Sequence, residues 1–201
     1  HRENKWAQIY IYGSEINFNL GTATKVNMIL HGDGSTNIFV KDGLLPFSNY
    51  EKATGPNALY GSERDPLYKS KDKPLDVNGQ FDLILTNPPF SVELDNDTKK
   101  TVKKDFMFGE KKNSENLFVE RWYQLLRENG RLAAVLPESV FDTAENKYIR
   151  LFLYKYFKIK AVVSLPQLAF EPYTSTKTSI LFAQKKTRAE VEAWNDAWEE
   201  T

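Results

Sequence analysis

The four residues Asn87-Pro88-Pro89-Phe90 combine groups that could hold an amine. Proline fixes its own φ and pushes the residue before it into an extended conformation, so Pro88 holds Asn87 extended and Pro89 does the same to Pro88. Neither proline carries an N–H. What this stiff segment offers is acceptors: the Asn87 side-chain oxygen and the Pro88 carbonyl. Two fixed acceptors suit an –NH2 group taken out of water, since a buried donor left unpaired costs about 1–3 kcal/mol. Phe90 adds an aromatic face for a planar partner. The group recognised is then an amine on a flat system, such as the exocyclic amine of adenine. A Pro-Pro pair can also merely punctuate the end of a strand. The apolar run Phe81–Thr86 directly before it is the context the chemical reading requires.

Two carboxylates stand at comparable places. Glu15 follows an apolar run, where an acidic side chain can accept two hydrogen bonds from ribose hydroxyls; an exposed turn glutamate is the plain alternative. Asp42 can accept from an adenine amine or cap a turn. Residues 99–112 are lysine-rich, with Phe106 and Phe108 among the lysines. Taken alone this is a solvated loop.

The elements that must position these groups follow from apolar periodicity. Ile9-Tyr10-Ile11-Tyr12, ended by Gly13, predicts a buried strand. Residues 22–31 predict a helix, capped by Thr22 or Thr24 and stopped by Gly32 and Gly34. A second strand is expected over residues 37–40, and mostly loop over 44–80, where prolines and glycines are scattered. A third strand covers residues 81–86. Residues 116–128 predict an amphipathic helix with Leu117, Phe118, Trp122, Leu125 and Leu126 on one face, ended by Asn129-Gly130. Further strands are expected over 132–136, 159–165 and 178–183, and helices over 148–157 and 189–199, the last docking Val191, Trp194 and Trp198. Strands that alternate with helices and are continuously apolar predict a mostly parallel α/β sheet covered on both faces. Such sheets bind ligands outside the carboxyl ends of their strands, where Glu15, Asp42 and Asn87 fall.

Size and charge set the remaining bounds. The 201 residues make one ordinary domain, or one with an appendage. Lys plus Arg (27) balances Asp plus Glu (27), so affinity for phosphate must come from local clusters. Cysteine is absent, and no apolar run reaches the roughly 18–20 residues that cross a bilayer. His1-Arg2-Glu3-Asn4-Lys5-Trp6 does not read as a natural start, and a piece of a longer chain is expected.

These motifs, in their order, resemble the modification subunits of type I restriction systems, which are N6-adenine DNA methyltransferases. The residues carrying the resemblance are Ile11-Tyr12-Gly13-Ser14-Glu15-Ile16-Asn17, Asn27-Met28-Ile29-Leu30-His31-Gly32, and the run from Phe81 to Phe90. It continues in Gly130-Arg131-Leu132-Ala133-Ala134-Val135-Leu136-Pro137 and Thr176-Lys177-Thr178-Ser179-Ile180-Leu181-Phe182. The resemblance implies a Rossmann-like class I methyltransferase fold with one antiparallel strand. It implies S-adenosylmethionine as donor, adenine N6 of DNA as acceptor, and no metal. Glu15 would hold the cofactor's ribose hydroxyls and Asp42 its adenine amine, with Ile16 and Asn87 completing the cofactor contacts. Asn87, Pro88, Pro89 and Phe90 would form the catalytic segment, Asn87 and Pro88 accepting from the target amine and Phe90 stacking on the flipped base. Phe170 or Tyr173 resembles a second base-contacting aromatic. Lys103 and Lys104 would meet DNA phosphates. His31 ends a helix in this pattern and is read as structural. The implied partners are DNA, a specificity subunit, a restriction subunit and self-association, in a bacterial or archaeal cytoplasm and away from membranes.

One part of the pattern is absent: the opening strand followed by a Gly-x-Gly turn at the cofactor's methionine moiety. Gly32-Asp33-Gly34 does not replace it, because it follows a helix and precedes a strand. The absent strand belongs in the centre of the sheet, between the first strand here and the one ending at Asn87. Residues 1–186 are therefore expected to be a partial catalytic domain, inactive and poor at binding cofactor alone, with 187–201 a helical extension. Acceptors other than DNA adenine (protein glutamine, RNA guanine N2) and a non-catalytic docking module are the competing readings.

Overall fold

The computed structural model describes residues 4–35, 37–44, 78–90, 92, 94, 96–109 and 114–200. The predicted loop over 44–80 lies almost wholly outside them. The chain divides into two units, residues 1–77 and 78–201.

The first unit contains α1 (Lys5–Tyr10), β1 (Gly13–Ser14), α2 (Phe18–Leu30) and β2 (Ile38–Phe39). The two strands pair in parallel, Gly13 opposite Ile38 and Ser14 opposite Phe39. The expected strand at Ile9-Tyr10-Ile11-Tyr12 does not form: Ile9 and Tyr10 end helix α1, and Ile11 and Tyr12 connect it to β1. A strand forms only where another strand can receive its hydrogen bonds, and β2 reaches no further back than Gly13. Residues 9 and 10 therefore bond within α1, which ends as Ile11 N–H reaches the Ala7 carbonyl at 3.0 Å. Short apolar runs do not distinguish the two outcomes by periodicity. Helix α2 begins earlier than expected, because Asn17 rather than Thr22 or Thr24 caps it: Asn17 Oδ1 accepts from the N–H groups of Asn19 (2.9 Å) and Leu20 (3.1 Å). Gly32 follows it with φ +75°, as a helix stop requires.

The second unit is a four-stranded sheet in the order β3-β4-β6-β5, built from β3 (Phe81–Thr86), β4 (Leu126–Pro137), β5 (Phe157–Ser164) and β6 (Thr178–Lys185). β3 and β4 are parallel, while β6 runs antiparallel to both β4 and β5. β3, β4 and β5 thus share one direction and β6 alone is reversed, as expected. The helices are α3 (Asn96–Asp105), α4 (Ser114–Leu125), α5 (Ser139–Asp142), α6 (Lys147–Tyr156) and α7 (Arg188–Glu199). Leu132, Ala134 and Leu136 of β4, with Leu181 and Ala183 of β6, pack one sheet face against Val119 and Trp122 of α4 and Ile149, Phe152 and Leu153 of α6.

Several expectations are corrected here. The helix expected over 116–128 starts at Ser114 and stops at Leu125. Leu126 is already paired with Phe81, and Asn129 takes φ +61° in an irregular stretch before regular pairing resumes at Arg131. Part of the lysine-rich stretch is helix α3 rather than loop, with Thr98 and Val102 buried. On α7 the capping box of Thr187 and Glu190 sets the start, but Trp198 is exposed and stacks on Trp194, ring centroids 4.9 Å apart, instead of docking. The opposite sheet face carries Leu83, Leu85 and Phe182, all exposed, so among the described residues the expected cover is seen on one face. Beyond β3 no further strand is paired among the described residues. No described helix is long and apolar enough to cross a membrane.

Candidate functional site

Each unit brings part of the predicted site to the carboxyl edge of its strands. In the first, the N–H of Glu15 continues the β1–β2 ladder to the Phe39 carbonyl at 3.0 Å. Just beyond, the Ser14 hydroxyl donates to the Lys41 carbonyl at 2.9 Å, which ties together the two segments bearing Glu15 and Asp42. Glu15 is half-buried and accepts the Asn17 N–H through Oε1 at 2.7 Å, so it also orders the residue that caps α2. Ile16 is exposed beside it. Asp42 is half-buried and accepts the Leu44 N–H through Oδ1 at 2.9 Å, closing a tight turn. His31 caps the carboxyl end of α2, the place read for it in the sequence. Gly32-Asp33-Gly34 lies against α1: a Cβ at Gly34 would lie 2.6 Å from Gln8 Cγ, so Gly34 serves a close helix contact.

In the second unit, β3 ends at Thr86 opposite Ala134, and Asn87-Pro88-Pro89-Phe90 leaves its carboxyl end. Pro88 is buried and Phe90 half-buried, while Asn87 and Pro89 are exposed. The buried proline anchors the segment and leaves the Asn87 amide accessible at the sheet edge. Phe170 and Tyr173 lie on the connection from β5 to β6, which rises from the same edge. Phe170 is half-buried and Tyr173 is 92% exposed.

Helix α3 follows this segment. Its buried side chains Thr98 and Val102 are one turn apart, and Lys99, Lys100 and Lys103 are exposed. The side chain of Lys104 lies outside the described residues, as do residues 110–113. Phe106 and Phe108 are core. Phe106 is buried with the Arg121 guanidinium 4.6 Å above its ring, and Phe108 packs edge-on against Tyr148 and Phe152. Gly109 returns so close to α3 that a Cβ there would meet the Val102 carbonyl oxygen at 2.1 Å.

What holds α3 carries no sign in its own residues. Glu120, on α4 and 3% exposed, accepts the N–H groups of Met107 at 2.7 Å and Phe108 at 3.1 Å, one on each carboxylate oxygen. Burial raises its pKa above the ordinary carboxylate value, and these two N–H groups, with the Arg121 charge, oppose that shift. Among the described residues no group of three or more His, Asp or Glu side chains could hold a metal ion.

Comparisons with known proteins show the family and the fold. A model of the family described as N-6 DNA methylase matches residues 1–197. The methylase subunit of the type I restriction enzyme EcoEI of Escherichia coli is 33% identical over 116 residues, 57% of this chain and 23% of that protein. The methylase subunit of the type I enzyme MpnII of Mycoplasma pneumoniae is 25% identical over 190 residues, 91% of this chain and 32% of that protein. The chain thus spans a third or less of the length of these relatives. Among solved structures, the methyltransferase subunit of a type I restriction-modification system from Streptococcus thermophilus superposes with a TM-score of 0.58 at 21% identity. That superposition covers 95% of this chain and 42% of the other, a likeness of fold.

Proposed function

This chain belongs to the N-6 DNA methylase family, and from that premise we propose that its parent protein transfers a methyl group from S-adenosylmethionine to adenine N6 in DNA. Residues 1–186 would form most of the catalytic domain and 187–201 a helical extension. The observation that carries the reading is the stiff Asn87-Pro88-Pro89-Phe90 segment at the carboxyl end of a parallel strand, with its asparagine accessible and its first proline buried.

The acceptors present fit the adenosine half of the cofactor. Glu15 would receive the ribose hydroxyls and Asp42 the adenine amine, with Ile16 and Asn87 lining the site. For the methionine half, the described residues provide no strand followed by a Gly-x-Gly turn; the only Gly-x-Gly among them packs on α1. When bound, the cofactor supplies an electrophilic methyl group. The chain's own residues receive the base. Asn87 Oδ1 and the Pro88 carbonyl accept from N6, which keeps the nitrogen lone pair available and aims it, and Phe90 stacks on the ring. Most of the acceleration then comes from positioning. Phe170 or Tyr173 contacts the flipped base, and Lys103 and Lys104 meet phosphates beside it. The resemblance to type I methylase subunits supports a specificity subunit and a restriction subunit as partners, and self-association within that assembly.

The test is methyl transfer from labelled S-adenosylmethionine by the full-length protein, offered DNA, RNA and protein acceptors in parallel. We expect label at adenine N6 of DNA, and a loss on the order of 100-fold or more in kcat for Asn87→Ala with DNA affinity within a few-fold. Label entering RNA guanine or protein glutamine instead would overturn the reading.

A further inference from the structure

Four polar side chains meet where β4 and β5 end and β6 begins, at the sheet edge that also bears Asn87. Pro137, the last residue of β4, pairs with Thr178, the first of β6. Next to it Glu138 Oε1 accepts from the hydroxyls of Ser164 at 3.0 Å and Ser179 at 3.1 Å. The Lys177 ammonium donates to Ser164 Oγ at 2.8 Å and to the Leu165 carbonyl, and lies 3.9 Å from Glu138. Ser164 therefore accepts from a cation and donates to an anion through one hydroxyl, an orientation that requires both charged neighbours. Two backbone bonds close the same point: Leu165 N–H to the Thr178 carbonyl and Glu138 N–H to the Lys177 carbonyl, each 3.0 Å.

Residues 166–176 form a loop whose ends are brought together at this neck, the arrangement of an Ω-loop. Inside it Tyr173 N–H bonds to the Phe170 carbonyl at 3.0 Å, and Gln167 Nε2 donates to the Ser175 carbonyl at 2.8 Å across the base. The loop is thus folded on itself, and its direction relative to the sheet is set at the neck. As a mere ion pair Lys177 and Glu138 would contribute little, since both side chains are about one-third exposed and 3.9 Å apart. Their arrangement does something else. One ammonium spans the last residue of β5 and the residue that leads into the loop, and one carboxylate spans β5 and β6.

We propose that Glu138 and Lys177 are positioning residues that fix the loop at its neck, so that its aromatic side chain meets the base whose amine Asn87 receives. The proposal rests on the reading of Asn87 and of the Phe170–Tyr173 loop given above. A lysine at a sheet edge could instead contact a DNA phosphate, and the two roles separate experimentally. A phosphate contact contributes about one unit to the salt dependence of DNA binding. A positioning residue leaves that slope alone and acts on kcat, because a displacement of about 1 Å can cost on the order of 100-fold.

The experiment uses the full-length protein and DNA that it methylates. It measures kcat, KM, the salt slope of DNA binding and amide hydrogen exchange over residues 165–177. For Lys177→Met and Glu138→Gln we expect faster exchange across the loop and a fall in kcat of roughly tenfold to 100-fold, with KM and the salt slope unchanged. Lys177→Arg should restore most of the rate. Unchanged exchange in the loop, or a salt slope lowered by about one with the rate of exchange intact, overturns the proposal while leaving the reading of Asn87 untouched. If Phe170→Ala and Tyr173→Ala both leave kcat unchanged while Asn87→Ala abolishes it, the loop does not meet the base, and the proposal falls with that part of the reading.

Discussion

Asn87 and Glu15 each stand just past the end of a parallel strand, so the strand fixes the backbone behind a side chain left at the sheet edge. Asn87 follows an apolar run that is a strand in full, Phe81–Thr86, and the two prolines dictate its conformation locally. Glu15 stands at a strand end as expected, though the strand is Gly13–Ser14 and, of the apolar residues thought to form it, Ile9 and Tyr10 are helical. Its carboxylate has a dual position, accepting the Asn17 N–H that orders the α2 cap while standing half-buried at the edge. Glutamine can still accept that N–H but presents a neutral group to ribose hydroxyls. Glu15→Gln should therefore weaken S-adenosylmethionine binding to the full-length protein by roughly tenfold, the loss of about 1.5 kcal/mol expected when a hydrogen bond loses its charge, with the melting temperature unmoved. Calorimetric titration checks this, and unchanged affinity would remove Glu15 from the cofactor site. Glu120, Glu138 and Lys177 were not legible in the same way. Each acts on groups brought near only by folding, and nothing in the neighbouring sequence distinguishes them from surface charges.

Elements were legible where one side of them is continuously apolar. β3, β6, α6 and α7 fall within a few residues of expectation, β3, β6 and α6 because their apolar residues recur at the period of the element and α7 because Thr187 and Glu190 cap its start. Helix α3 was hidden, since Asn96–Asp105 buries little more than Thr98 and Val102 among its described side chains, too sparse a pattern to show a period. What fixes it lies outside it: Phe106 under Arg121, and Glu120 holding the N–H groups of Met107 and Phe108. That carboxylate has a consequence for stability. Its pKa in the folded chain is raised by burial above the unfolded value, so in the interval between the two the folded state holds more protons. Stability must then fall as pH rises through that interval, the reverse of the usual carboxylate trend. Glu120→Gln has no titrating group there and keeps one of the two acceptor contacts. Urea melts of the two proteins from acid to neutral pH should show the parental chain losing stability relative to the variant as pH rises. Parallel curves would show that the carboxylate is not perturbed in the folded state.

At the scale of the whole molecule, the described strands form two sheets, and among them β3 is the last on its side of the four-stranded one. Leu85 is 71% exposed and Leu83 47% exposed on the face that no described helix covers, next to Ala133 and the exposed Phe182 in register across β4 and β6. Parallel strands with both faces apolar normally lie inside a sheet, with neighbours on either side. An open edge beside a bare apolar face is therefore consistent with the central strand that the resemblance calls for and that the described residues lack. The same strand would bring the glycine turn for the methionine half of the cofactor. The acceptors at Glu15 and Asp42 address only the adenosine half, and fixing a ligand by one half loses the interactions of the other. S-adenosylmethionine should accordingly bind this 201-residue chain at least about 100-fold more weakly than it binds the full-length protein, a deficit of about 2.7 kcal/mol. Equal affinity for the two would mean that these residues complete the cofactor site by themselves. The bare face at Leu83 and Leu85 would then need an explanation other than a strand that the rest of the protein provides.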